Sequence, residues 1–296
     1  MKSHGFNDEI VNYAWQRQKD GRAESTIKNN LRKLVQLSRT CNLLEPEEVK
    51  GAIAKLELKN SSKRTMATAY GDFLKYKGIK WDKPKYKGEA RLPFIPLESE
   101  IDELIAATGR QTSALLQFLK ETGARVGEAS HTKWIDIDTE RRVVRITPEK
   151  NSNPRILPIS PKLITLLNRL PKTGEYLFNT NQAVLRNTYT NQRHKIAEKL
   201  SNPRLDKISF HTLRHWKGTM EYHKTQSMYH VKKILGHKCI TNTEIYVNIE
   251  QAIFLPENSE YCSATATTIQ EAQKLIETGF EYVTEIEGTK LFRKRK

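Results

Sequence analysis

HTLRHWKGTMEYHKTQSMYHVKKILGHKCITNTEIYVNI, residues 211–249, gathers most of the chain's reactive side chains into one stretch. A helical pattern runs from Pro161 to about Asn248, broken at Pro203. Within it His211 and Arg214 stand three residues apart and so share one helical face. LGHK (235–238) offers His237, and Tyr246 follows nine residues later in TNTEIYVNI. Upstream, TGARVGEA (122–129) holds Arg125 and, three residues on, Glu128. Such an Arg–Glu pair is by itself only a surface helix contact of about 0.2–0.5 kcal/mol.

Outward from these pieces the chain reads as mainly α with a small β-sheet. Helices are expected at Leu97–Ala107 and Thr112–Glu121, in a domain that starts near Phe94. Residues 135–159 change character: IDID, RRVVRIT and PRILPI are rich in β-branched residues and separated by turn residues, so three short strands are expected. TPEKNSNPR places Lys150 on the turn between two of them. Before this domain, IKWDKPKYKGEARLP (79–93) has five Lys or Arg, two Pro and one Gly, and reads as an extended basic linker. Residues 1–78 read as four helices. The first runs from Phe6 to Asp20, and the second is capped by Ser25 with Ile27, Leu31, Leu34 and Leu37 at helical spacing. The third opens at Pro46, and the fourth is capped by Ser61 or Ser62 and closed by Gly78. The domains expected are thus 1–78, a linker 79–93, 94–255 and a tail 256–296. The tail carries a helix, IQEAQKLIETG, and a β-hairpin turning at Glu287–Gly288.

The formal net charge is +16, and half of it falls in the first 90 residues, which hold 19 Lys and Arg against 11 Asp and Glu. Such an excess favours a polyanionic partner, nucleic acid before an anionic membrane surface. No segment approaches the ~18 consecutive apolar residues of a membrane helix, and MKSHGFNDEIVNYAW lacks the apolar run of a secretory signal. Cys41, Cys239 and Cys262 are scattered and form no CxxC pair. A cytoplasmic, DNA-associated protein is the expectation. His211 and His215 have the spacing of a zinc helix, but Thr212 stands where a zinc protease needs Glu, and His237 with Cys239 lacks a second pair. No metal or cofactor is expected. Trp216 reads as core packing.

In order and spacing the pieces resemble the tyrosine recombinase family, which includes phage integrases and chromosome-dimer resolvases. That family carries an Arg in TGxRxxE, a Lys on a β-turn, an HxxR pair, an LGH motif and a Tyr about nine residues later. These match Arg125 with Glu128, Lys150, His211 with Arg214, His237 and Tyr246; Thr243 also matches. The resemblance covers residues 94–250 by motif and 1–93 by architecture alone. The tail is similar to those of archaeal integrases. The resemblance implies a helical N-terminal core-binding domain and a mixed α/β catalytic domain. It further implies attack by Tyr246 on a phosphodiester, a 3′-phosphotyrosine with a free 5′-hydroxyl, and reversal by another strand's 5′-hydroxyl. Double-stranded DNA carrying a specific site is the implied partner. A homotetramer on two duplexes is the implied assembly, with a monomer or dimer off DNA.

Physical chemistry runs the same way. Two arginines, Arg125 and Arg214, suit the non-bridging phosphate oxygens, and His237 adds a donor. Tyr, with an ordinary pKa of about 10, needs cations or a base nearby. His211 is the candidate base, or the group that orients the phenol. Lys150 would protonate the leaving 5′-oxygen, with Lys133 and Arg155 as alternative cations. A type IB topoisomerase-like nicking activity and a non-catalytic DNA-binding regulator are the competing readings.

Overall fold

The computed structural model describes residues 4–88, 92–149, 152–254, 261–286 and 288–295. They fall into two compact units that divide between Arg91 and Leu92.

The first unit holds four helices: α1 (His4–Lys19), α2 (Glu24–Ser38), α3 (Pro46–Lys55) and α4 (Asn60–Lys77). The apolar faces anticipated from spacing meet in one core, where Leu34, Val49, Ile53, Tyr70 and Phe73 are fully buried. A polar tie crosses this core: Tyr13 Oη donates to Asp72 Oδ2 (2.6 Å), which also accepts from Arg17 Nε (3.0 Å). The helix starts differ from expectation. Ala23 and Lys59, not Ser25 and Ser61, precede α2 and α4, and neither supplies a side-chain cap. A cap is worth only about 1 kcal/mol, whereas burying one Leu or Phe side chain contributes about 1.5–3 kcal/mol, so packing sets the register. Residues 79–88 form no helix or strand, and Ile79, Trp81 and Tyr86 fold back on this same core. Trp81 meets Tyr70 edge-on at 4.8 Å.

The second unit opens with α5 (Glu98–Ala107) and α6 (Arg110–Thr122), followed by the short α7 (Val126–Ser130). Nearly every residue of α6 is buried, and α5, α8 (Pro161–Asn168), α9 (Gln182–Lys199) and α10 (Phe210–Thr225) pack around it. The expected small sheet is present as β1 (Ile137–Asp138), β2 (Val143–Ile146) and β3 (Arg155–Pro158), antiparallel in the order β1-β2-β3. Val144 and Leu157 pair across β2 and β3 and point into the main core, which also takes in Trp216. Two further helices, α11 (Met228–Leu235) and α12 (Thr241–Ile253), complete the helical part.

The tail contains β4 (Tyr261–Ala266), α13 (Ile269–Glu277), β5 (Glu281–Ile286) and β6 (Thr289–Arg295). The helix and hairpin were legible, with Gly288 at φ +78° in the turn, while Glu287 lies outside the described residues. Strand β4 was not foreseen; it pairs antiparallel with β6, giving the order β4-β6-β5. Among the described residues no helix is long and apolar enough to cross a membrane.

Candidate active site

The site is assembled at the corners between helices. Helix α6 ends at Gly123 (φ +59°), where a Cβ would stand 2.7 Å from Leu235 Cδ2, so the turn favours glycine. Two residues on, Arg125 caps α7 in extended conformation, and its N–H donates to Glu128 Oε2 (2.9 Å). The Arg125 guanidinium returns to the same carboxylate, Nη1 to Oε1 at 3.2 Å. Glu128 is no surface group: its side chain is 0% exposed. It also accepts from Arg155 of β3, Nη2 to Oε2 at 2.6 Å and Nη1 to Oε1 at 3.3 Å. The Glu128 carboxyl is held below its ordinary value: burial, the largest influence, pushes it up, and Arg155 and the Arg125 amide more than reverse that. Arg155, weighed from the sequence as a spare cation, is thereby committed to this buried pair.

Helix α10 starts at Phe210, its first turn closed by Ser209 accepting from the Thr212 amide. It presents His211, Arg214, His215 and Gly218. Arg214 is 2% exposed and donates to two backbone carbonyls, Gly123 O (2.6 Å) and Leu235 O (2.7 Å). Its other three N–H groups make no hydrogen bond among the described residues. Burial first, then Arg125, lowers its pKa to about 10, so it stays charged at neutral pH. His211 is exposed, yet its pKa is lowered by desolvation and then by Arg214 and Arg125. His215 packs edge-on against His211, with 4.6 Å between ring centroids. Its Nδ1 is buried with no hydrogen-bond partner among the described residues, and burial lowers its pKa to about 4. Among the described residues no group of three His, Cys, Asp or Glu comes together as a metal site.

Gly236 ends α11 at φ +69° and sets His237 next to Tyr246. The two rings lie nearly parallel, 6.4 Å between centroids. His237 Nδ1 is 3.0 Å from Thr243 Oγ1, and burial together with Arg214 and Arg125 lowers its pKa to about 4. Tyr246 on α12 is 2% exposed and packs with Val231, Leu235 and Ile249. The far side of its ring lies on Gly218, where a Cβ would meet three ring carbons at 2.5–2.9 Å. Burial raises the Tyr246 pKa, while Arg214 and Arg125 draw it down without cancelling the rise.

Ser152 and Asn153, just ahead of β3, dock on this corner. Ser152 Oγ donates to Gly236 O (2.8 Å) and accepts from Arg125 Nη1 (3.1 Å). The Asn153 amide also donates to Gly236 O (3.0 Å), and Asn153 Nδ2 reaches His237 O at 3.4 Å. Lys150 lies outside the described residues. Of the other five residues singled out from the sequence, Arg125, Arg214, His237 and Tyr246 converge with His211 at one corner. Sequence reasoning missed Ser152, which no pattern marks, and Gly218. A glycine inside a helix costs about 1 kcal/mol relative to alanine, which could have flagged the latter.

Comparison with known proteins places residues 97–252 in a match to the phage integrase family. An integrase/recombinase of Sinorhizobium fredii is 28% identical over 171 residues, covering 56% of this chain and 56% of that protein. Tyrosine recombinase XerD of Bifidobacterium longum is 27% identical, with 55% of this chain and 60% of the relative covered. The chain thus spans little more than half the length of these two. Tyrosine recombinase XerD of Vibrio vulnificus is 24% identical over 84% of this chain and 92% of its own. Among solved structures, a lambda integrase dimer bound to a core site superposes with TM-score 0.63 at 17% identity, covering 83% of this chain and 95% of that one. A lambda integrase tetramer bound to a Holliday junction gives 0.64 at 15% identity, covering 81% and 76%. At these identities the likeness establishes the fold.

Proposed function

Because this chain belongs to the phage integrase family, we propose that it is a site-specific DNA recombinase, cutting and rejoining strands by transesterification through Tyr246. The observation that carries the reading is the assembly of one corner: Arg214 is held by Gly123 O and Leu235 O, Arg125 by Glu128 and Ser152, and the Tyr246 ring lies between His237 and Gly218 of the helix that bears Arg214, with both guanidiniums near enough to lower the pKa values of His211 and His237. Each arginine is fixed by protein acceptors through part of its donor set, leaving the rest for the two non-bridging oxygens of a scissile phosphate. Donors aimed at developing charge are typically the largest catalytic contribution, about 100–1000-fold each.

Burial outweighs the two cations in setting the Tyr246 pKa, so the phenol keeps its proton until attack begins and needs a base. His211 serves as that base: it is exposed, and its lowered pKa leaves it neutral at pH 7. His237 is neutral too. With the Thr243 hydroxyl donating to Nδ1, its Nε2 carries the hydrogen and donates to the phosphate. Lys150, on the turn docked by Ser152 and Asn153, supplies the proton to the departing 5′-oxygen. The bond from phosphorus to the 5′-oxygen breaks as the bond to Tyr246 forms, and the phosphotyrosine keeps the bond energy for rejoining, so no nucleotide cofactor is required. The first unit, with its basic excess, grips duplex DNA, and four copies hold two duplexes in the host cytoplasm.

The test begins by selecting bound duplexes from a random library. A nicked version of the selected site is then incubated with the chain, and covalent adduct is measured under denaturing conditions. Tyr246→Phe should retain duplex affinity and form no adduct. Adduct at the normal level from the Phe variant would mean another nucleophile. Relaxation of supercoiled DNA lacking the site would favour a topoisomerase.

A further inference from the structure

The Ser152 hydroxyl joins two parts of the site. Ser152 is 8% exposed, so its two contacts are shielded from water. Its single proton goes to Gly236 O at 2.8 Å, which turns its lone pairs toward Arg125 Nη1 at 3.1 Å. Nη1 has two hydrogens. One goes to Ser152 and the other to Glu128 Oε1 at 3.2 Å. With Nη1 fully engaged, the guanidinium plane is fixed at both edges of that nitrogen, and Nε and Nη2 make no hydrogen bond among the described residues. The arrangement leaves three N–H groups uncommitted among the described residues, on a side chain that is 27% exposed.

We propose that Ser152 is a positioning residue for Arg125, fixing the guanidinium plane so that Nε and Nη2 face the scissile phosphate. The inference rests on the strand-cleavage reading above. The hydroxyl acts on Arg125 and not on the turn that bears Lys150, because the turn has anchors of its own. The Asn153 amide bonds Gly236 O at 3.0 Å, and the Ser152 amide bonds Glu149 O at 3.3 Å. Removing the hydroxyl spares both of these and deletes one of the two ties on Nη1. Hydrogen bonds to charged groups are worth enough that losing one typically changes an equilibrium about 10- to 100-fold.

The experiment uses the full chain and a nicked duplex of the selected site with three scissile linkages: ordinary phosphate, a 5′-bridging sulfur and a methylphosphonate. Sulfur leaves without a proton, so it relieves loss of the proton donor. The methylphosphonate lacks one anionic oxygen, so it relieves loss of charge neutralisation. Arg125→Ala and Lys150→Ala are the reference variants. Ser152→Ala should cut adduct formation about 10- to 100-fold on phosphate, with unchanged duplex affinity and a melting temperature lowered by only a few degrees. Methylphosphonate should shrink its defect, as for Arg125→Ala, and sulfur should not. Wild-type rates from Ser152→Ala would overturn the proposal. So would rescue by sulfur, which would put the hydroxyl's effect on Lys150, or rescue by neither linkage, which would make it a general packing defect. If the unaltered chain forms no adduct on any linkage, the cleavage reading itself fails and this inference falls with it.

Discussion

Replacing Glu128 tests how the site is held together. Its carboxylate has no solvent exposure, and its principal partner, Arg155, has a side chain 4% exposed. Glu128→Ala would leave that guanidinium buried without a counter-charge, its Nε already lacking a partner among the described residues. Breaking a buried pair in this way costs about 3–5 kcal/mol. For a unit of this size each kcal/mol lowers the melting temperature by about 2–4 °C, so a fall of roughly 6–20 °C is expected. The double variant Glu128→Leu with Arg155→Met removes both charges and keeps the volumes similar. Such exchanges are often neutral or better, so the double variant should regain most of the lost melting temperature. It should not regain activity. Arg125 would have lost one of the two acceptors of its Nη1 and the acceptor of its own amide, and adduct formation should stay about 100–1000-fold down, the scale of losing one phosphate donor. Differential scanning calorimetry and the adduct assay on the three proteins decide the matter. A single variant as stable as the parent, or a double variant as unstable as the single, would refute the buried-pair argument. A double variant with full activity would refute the claim that Glu128 holds Arg125.

Two further outcomes follow from the same geometry. His215 and His237 have pKa values lowered to about 4 by burial, so the unfolded chain binds more protons than the folded one below pH 6.5. Their stabilisation is complete above about pH 6.5 and is lost on the way down to about pH 4. After halving for solvent screening, the two together should cost about 2 kcal/mol between pH 7 and pH 5; urea unfolding of His215→Leu should show about half of that pH dependence, and an undiminished dependence would exclude His215. Gly218→Ala forces a methyl to within 2.5–2.9 Å of the Tyr246 ring, an overpacking that typically costs about 1–3 kcal/mol; urea unfolding should detect it, and an unchanged midpoint would mean that the ring does not rest on α10.

The parts of the molecule that the sequence disclosed are those written in local pattern or in residue type. The apolar spacing of Leu34 and Leu37, the β-branched runs around Val144 and the order Arg125, His211, Arg214, His237, Tyr246 could all be read without any knowledge of distant contacts. What escaped depends on pairings that only the fold creates. Strand β4 is made by its pairing with β6, and nothing within Ser263, Ala264 and Thr265 announces a strand. Ser152 sits in a polar turn like many others and gains its role from Gly236, 84 residues away. Glu128 shows the difference most sharply. Read along the chain it pairs with Arg125 at helical spacing, worth a few tenths of a kcal/mol. The fold withdraws it from water and brings in Arg155 from 27 residues away. The same carboxylate then becomes a group whose removal costs about ten times as much. Sequence spacing identified the partner; burial, which spacing does not encode, sets the energy.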